Sequence, residues 1–370
     1  MLSPQDDLLG HQLPTTFDHV GTSDPAWMER YWYNGFTVPD GALMFEIGLG
    51  LHTNRNVMDA YVAVTVDGVQ HNLRLSRHAR PATLTPAIGP FRIEVVEGMR
   101  VHRLVVEAND SDIEMDLRFV VSMNTYEEEH HFRRRAGKVT EDMERYHQGG
   151  RFEGWISVQG KRYELDRRTC WGQRDHSWGI RAELRTDETA PPLTVYPPML
   201  YIWAVLQFEK YGVHLYLNEM SPERQLYTSG EIVHPDGSPE RNKVVAKVSH
   251  QIEWAPDPLG QTVKTMRLDV ATTKGETLQL NFRALPSRVF LKGGLYGGLD
   301  GWFPGDDKGP LHIAHDRWDL SDASTRRKAR TLASQSYEID DGSSKGYGIV
   351  QLGVVAGYPL YKEVQQHPVP

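Results

Sequence analysis

The run Cys170-Trp171-Gly172-Gln173-Arg174-Asp175-His176-Ser177-Trp178-Gly179-Ile180-Arg181 holds four ionisable residue types among two tryptophans and two glycines. Read as a β-strand, its side chains alternate between two faces. Arg174, His176 and Trp178 then share one face, and Gln173, Asp175 and Ser177 the other. Asp175 and His176 line opposite faces unless a bulge intervenes, and Gly172 and Gly179 are where the strand can bend. Burying such groups without partners costs roughly 1–3 kcal/mol each. Two readings follow. In one, Arg174 or Arg181 pairs with Asp175 to brace a junction, and His176 satisfies a backbone carbonyl. In the other, Arg174, His176 and Trp178 face a ligand.

Working outward, period-2 alternation dominates. Tyr61 to Val66 runs into the Asp67-Gly68 turn, and Phe91 to Val96 turns at Glu97-Gly98 into Val101 to Glu107. Ile113 to Phe119 alternates strictly. Gly154 to Val158, the Gln159-Gly160 turn and Tyr163 to Leu165 form a hairpin that leads into the central run. The second half alternates in the same way, through Tyr201 to Phe208, Val213 to Leu217 and Val244 to Trp254. Met266, Leu268 and Val270 then face one side, and a last strand runs from Gly346 to Val354. Such strands bury one face and wet the other, as antiparallel sheets do. Helical signals are confined to 140–147 and to 321–334, where Ser321 fits an N-cap and Asp322 the first turn. The expected fold is therefore all-β, two antiparallel barrels or sandwiches with few short helices. The Pro-rich stretch 190–198 cannot pair as a central strand. It is read as the link between an N-terminal unit (1–189), which carries the central run, and a C-terminal unit (199–370).

Composition narrows the function. With 370 residues, 39% hydrophobic and 24% charged, the chain can bury a sizeable core, and its net charge of −8 argues against nucleic-acid binding. The single cysteine, Cys170, allows no internal disulfide and reads as a small buried hydrophobe. Met1 to Asp7 lacks the basic and apolar regions of a signal peptide, and no apolar run approaches a membrane span, so the cytoplasm is the default location and stable membrane insertion is not expected. No P-loop, nucleotide-binding glycine turn or nucleophile elbow occurs. The sixteen histidines form no metal-ligand pattern: His130 and His131 point apart on a strand, and His312 and His315 fall in a loop-like stretch. Aromatic residues are the second signal. Trp32, Tyr33, Phe36, Trp155, Trp171, Trp178, Tyr201 and Trp203 fall on or near strands, most as core and some as a ligand wall.

With Arg174-Asp175-His176-Ser177-Trp178-Gly179 in view, the chain resembles the carotenoid 1,2-hydratase (hydroxyneurosporene synthase) and AttH-like superfamily. That group also holds Diels–Alderases and terpenoid cyclases. Trp32-Tyr33, Glu153-Gly154-Trp155 and Asp340-Asp341-Gly342 leading to Gly346-Tyr347-Gly348 extend the likeness. The resemblance implies two lipocalin-like, calycin-type β-barrels with a hydrophobic pocket near their junction. It also implies acid-initiated hydration, its reverse or cyclisation, without an organic cofactor. His176 and Trp178 match the family's His-x-Trp pair. At Tyr201-Ile202-Trp203 the tyrosine of the hydratases' Tyr-x-Asp pair is kept, but Trp203 replaces the acid, which points away from carotenoid hydration.

The leading expectation is a cofactor-independent lyase or isomerase acting on a hydrophobic terpenoid or aromatic molecule. His176 is its acid/base and Arg174 steadies negative charge. Asp175 orients Arg174, Arg181 or His176, while Trp178, Tyr201, Trp203, Trp155 and Trp171 form the substrate wall. A non-catalytic lipid or terpenoid carrier and a pericyclase stand beside it, and assembly as a homodimer is left open.

Overall fold

The computed structural model describes residues 3–10, 24–135, 138–181, 198–257, 261–330 and 332–364. The expected Pro-rich link lies outside them except for Pro198. The fold is all-β, as the alternation requires. Two antiparallel systems form, one closed barrel of eight strands and one fourteen-stranded sheet curled into a nearly closed barrel. In the first barrel, Cys170–Arg181 lies between Trp27–Thr37 and the long strand Lys138–Val158, in unbroken register with both. The second barrel runs from Leu200–Gln207 to Lys345–Val354, which pair and close it. Leu311–Asp319 leaves that second half and pairs along Val69–His78 in the first sheet.

Side-chain patterning follows what each strand packs against. Lys243–Trp254 alternates buried and exposed, as a one-sided strand must. Leu43–His52 is buried at every position and Trp27–Thr37 at all but the last. Their inner faces enter the first core, where Tyr31, Tyr33, Phe45 and Leu49 meet Phe119 and Phe152. Their outer faces meet the second barrel, where Trp32, Phe36 and Met44 pack with Trp203, Val205 and Leu285. Polar residues on these strands are therefore buried whichever way they point.

Three expectations are corrected. Residues 140–147 form no helix but part of the strand Lys138–Val158. Their helix-forming composition loses to ladder partners on both sides, Cys170–Arg181 and the strands at 126–127 and 131–135. The helix read at 321–334 is confined to Ala323–Ala329, and its N-cap is Asp322, whose carboxylate accepts from the Thr325 amide. His312 and His315 lie on the strand Leu311–Asp319 and not in a loop. Among the described residues, no helix is long and apolar enough to cross a membrane.

Candidate functional site

The central run is a strand, and its two faces look into different places. Gly179 takes φ +127°, in the region that favours glycine, and a Cβ there would meet the Asp142 carbonyl. Gly172 lets the Asn34 carbonyl approach, and its own carbonyl accepts from Gln207 of the second barrel at 2.5 Å.

The inner face carries Arg174 and His176, both fully buried. His176 Nε2 lies 2.9 Å from Glu29 Oε1, and its Nδ1 lies 3.2 Å from the Tyr146 hydroxyl. Arg174 donates to Gln148 Oε1 at 2.8 Å and to the Tyr146 hydroxyl at 3.1 Å, and it ion-pairs with Asp7. Asp7 arrives on a short 3-10 turn, Pro4–Asp7, that enters the barrel. Its carboxylate also accepts from the Met99 amide and bonds to His102, which in turn bonds to the Tyr33 hydroxyl. Burial pushes the Asp7 carboxyl up, but Arg174 and His102 more than reverse this and hold it well below the usual carboxylate range. Burial and the Arg174 cation push His102 down to about 4, so at neutral pH it is an uncharged donor. Trp178 packs beside His176 and Tyr146.

The outer face carries Gln173 and Asp175 toward the second barrel. Asp175 Oδ2 lies 3.7 Å from Arg30 Nη2. Beside it on Lys138–Val158, His147 bonds to Glu128 at 2.8 Å, and Arg145 pairs with the same carboxylate at 3.3 Å. His214 of the second barrel meets His147 with the rings tilted and 5.8 Å apart, and burial together with His147 drives it well below its usual range. Asn34, Gln173, His214 and Asn218 are buried here with no hydrogen bond to either side-chain polar atom.

Arg30 connects this face to a cleft. A narrow cleft, with a cavity volume of about 30 Å³, opens between the outer wall of the first barrel and the connection at 291–305. Met28, Ala60, Leu295, Tyr296 and Pro304 give it apolar walls, Arg30, Asp59 and Tyr61 its polar groups, and Gly48, Gly50 and Gly294 its room. The Tyr61 ring is packed tightly against Gly48 and Gly294, where any Cβ would strike it. Arg30 is 7% exposed, its guanidinium sits over the Trp32 and Tyr296 rings, and its Nε and Nη1 have no hydrogen-bond partner.

Behind Tyr61 is a buried acid. The Tyr61 hydroxyl accepts from Trp32 Nε1 and donates to Glu46 Oε1, each at 2.7 Å. Ser334 of the second barrel donates to Glu46 Oε2, also at 2.7 Å. Burial raises the Glu46 carboxyl to about 7, although Ser334, Tyr61, Trp32 and Arg30 all favour its charged form. The same burial, with Glu46 alongside, lifts the Tyr61 phenol well above its usual range. A carboxyl raised in this way adds stability that is complete below about pH 4.5 and is lost as the pH climbs through 7. Wild-type protein should therefore lose on the order of 3 kcal/mol across that window relative to Glu46→Gln. Denaturant unfolding at fixed pH values reads this directly, and parallel curves for the two proteins would contradict it.

The predicted residues thus fall into separate places. Arg174 and His176 lie inside the first barrel, while Asp175 faces the junction through Arg30. Trp203 packs on Trp32, 5.2 Å between rings, and so backs the Tyr61–Glu46 pair. Tyr201 stacks edgewise on Tyr216 and bonds to Gln351. Trp171 lies under Arg151 and against Tyr347, and Trp155 holds Arg162. Burial pushes the Cys170 thiol up and keeps it protonated. Sequence reading missed Glu46, Tyr61 and Arg30. Glu46 had a signal, a lone carboxylate inside the apolar run Leu43-Met44-Phe45-Glu46-Ile47.

The chain belongs to the family described as a family of unknown function, DUF8625, which matches residues 2–359. No curated protein matches the sequence. Among solved structures, the chain is similar to kievitone hydratase from Nectria haematococca, at 10% identity and a TM-score of 0.49, with 90% of each chain covered. It is also similar to CghA, alone and with Sch210972, at 12% identity and a TM-score of 0.49, covering 90% of this chain and 89% of the other.

Proposed function

We propose that this member of DUF8625 is a cofactor-independent lyase or isomerase that works by acid–base chemistry on a hydrophobic, oxygen-bearing terpenoid or aromatic molecule. The reaction is placed in the cleft between Met28 and Pro304. One observation carries the reading: a buried carboxyl at about 7, bonded to a phenol that lines an apolar cleft. A group poised near the working pH is the most effective proton donor or acceptor.

In the protonated form Glu46 donates to the Tyr61 oxygen, and the phenol hydrogen turns toward the cleft. A basic carbon or oxygen of the substrate takes that proton, and the reverse path removes one. Arg30 sits electrostatically close to both groups, since it favours the ionised form of each. Its unpaired Nε and Nη1 hydrogens suit an oxygen that gains negative charge, in surroundings where such an interaction is strong. Asp175 holds Arg30 from behind and is a positioning residue. The apolar walls orient the rest of the molecule.

The substrate is sought as whatever apolar compound copurifies, identified by mass spectrometry. With it, Arg30→Met should lower kcat/KM by about 10²-fold, the equivalent of one charged hydrogen bond. Asp175→Asn should give a smaller loss carried mainly by KM, with the pH–rate profile unmoved. A wild-type rate that is flat across neutral pH would instead indicate a pericyclase, in which the pocket only orients a reactive polyene. Tight binding without turnover would indicate a carrier.

A further inference from the structure

The Asp7 carboxylate is held as a ligand would be. One oxygen meets Arg174 Nη2 and the Tyr146 hydroxyl, and the other meets the Met99 amide and His102 Nε2. Arg174, His102 and Tyr146 are all fully buried strand residues of the first barrel. Asp7 is not. It comes from a four-residue turn with no ladder partner in the sheet, 167 positions before Arg174.

The barrel wall therefore presents a cradle whose anion arrives from elsewhere. Without Asp7, the Arg174 guanidinium keeps only neutral partners, Gln148 Oε1, the Tyr146 hydroxyl and the Met99 sulfur. Its Nη1 has no hydrogen-bond partner even with Asp7 in place. A buried guanidinium in that condition strongly favours any carboxylate that can reach it. The surroundings also specify what is attached to the carboxylate. Leu9, two residues on, packs into the same apolar core as Tyr31, Tyr33 and Phe119. Segment 3–10 thus places a carboxylate in a polar cradle and an alkyl group on an apolar wall.

Its other anchors include contacts from side chains and amides of the barrel. The Gly10 amide donates to Glu29 at 3.0 Å, the Tyr31 and Tyr146 hydroxyls bond to the Asp7 and Asp6 carbonyls, and Pro4 rests on Gly98. A segment held by side chains and not by a ladder opens more readily than the sheet around it.

We propose that the Arg174–His102–Tyr146–Met99 cradle is a binding site for the carboxylate of an apolar acid, a fatty or aryl monocarboxylate, and that residues 3–10 occupy it as a tethered competitor. The proposal is independent of the cleft and of any reaction there. It gives the buried Arg174 of the central run a ligand, where sequence reading expected one.

The test is chemical rescue in the full chain. Asp7→Ala should lower the thermal midpoint, and acetate or formate should restore it saturably. Octanoate should do so at lower concentration, because its alkyl chain can take the place of Leu9. Sodium chloride, acetamide and octanol should not restore it, and the wild-type midpoint should hardly move with acetate. Should Asp7→Ala be recovered only unfolded, the yield of soluble protein on refolding with and without acetate is the readout. Leu9→Ala, which keeps the carboxylate, should let octanoate stabilise the protein more than it does the wild type. Rescue of Asp7→Ala by carboxylates that leave the wild type unmoved supports the proposal. No rescue by any carboxylate, or equal stabilisation of wild type and variant, overturns it.

Discussion

Glu46→Gln should cut turnover by roughly 10²–10⁴-fold while the protein remains folded. The substitution removes the only group in the Trp32–Tyr61–Glu46–Ser334 chain whose proton is exchanged near neutral pH, and it preserves shape. The amide oxygen still accepts from Tyr61. The amide nitrogen faces Ser334, whose hydroxyl can turn from donor to acceptor. Loss of rate therefore reports proton transfer and not collapse of the site. Tyr61→Phe should give a loss of similar size, because the relay passes through its hydroxyl, and the double variant should be no slower than the worse single one. The measurement is single-turnover kinetics with the copurified compound, alongside unfolding curves. A Glu46→Gln protein with wild-type kcat would end the acid–base reading.

Arg174→Leu should cost about 3–5 kcal/mol of stability, the largest single loss in the first barrel. The reason is what stays behind. Asp7 is buried beside it, and without the guanidinium its carboxylate faces only His102, the Met99 amide and Tyr146. Removing one partner of a buried pair leaves the full desolvation penalty on the other. Asp7→Asn on top of Arg174→Leu should recover part of the loss, since the remaining charge goes with it. The double-mutant cycle, measured by denaturant unfolding, should show strong coupling between positions far apart in sequence. Additive effects would mean that the two side chains do not share a site. Turnover by whatever fraction of Arg174→Leu remains folded should change little, because the cleft lies on the other side of the sheet.

Much of this was readable from the chain, and the exceptions have physical causes. Alternation and turn residues located the hairpins around Asp67-Gly68 and Gln159-Gly160, because one-sided strands record their faces in composition. The split between Arg174 and Asp175 followed from the period of two. What failed was local: residues 140–147 have helical composition, but neighbouring strands on both sides decide their conformation. What stayed hidden was anything fixed by contact between distant segments. Nothing in Ser3-Pro4-Gln5-Asp6-Asp7 announces a counter-ion for Arg174. Glu46 becomes special only when Ser334 and Tyr61 close over it. Arg30 reads as an ordinary charge in an aromatic strand until the connection at 291–305 roofs it. Trp171 of the central run and Trp155 of the hairpin before it stack on Arg151 and Arg162, contacts that no local pattern encodes.

The strand Leu311–Asp319 has a consequence for how the protein is made. It caps one edge of the first sheet, through the ladder to Val69–His78 and the Arg74–Asp316 ion pair at 3.0 Å. During synthesis the first barrel waits for it. Nearly all of that sheet has left the ribosome while the strand that covers its edge is still untranslated, and an uncovered edge invites pairing with other chains. A truncation ending near residue 300 should therefore aggregate, although it contains every other strand of the first sheet. Supplying a peptide of residues 311–319 in trans should keep more of it in solution.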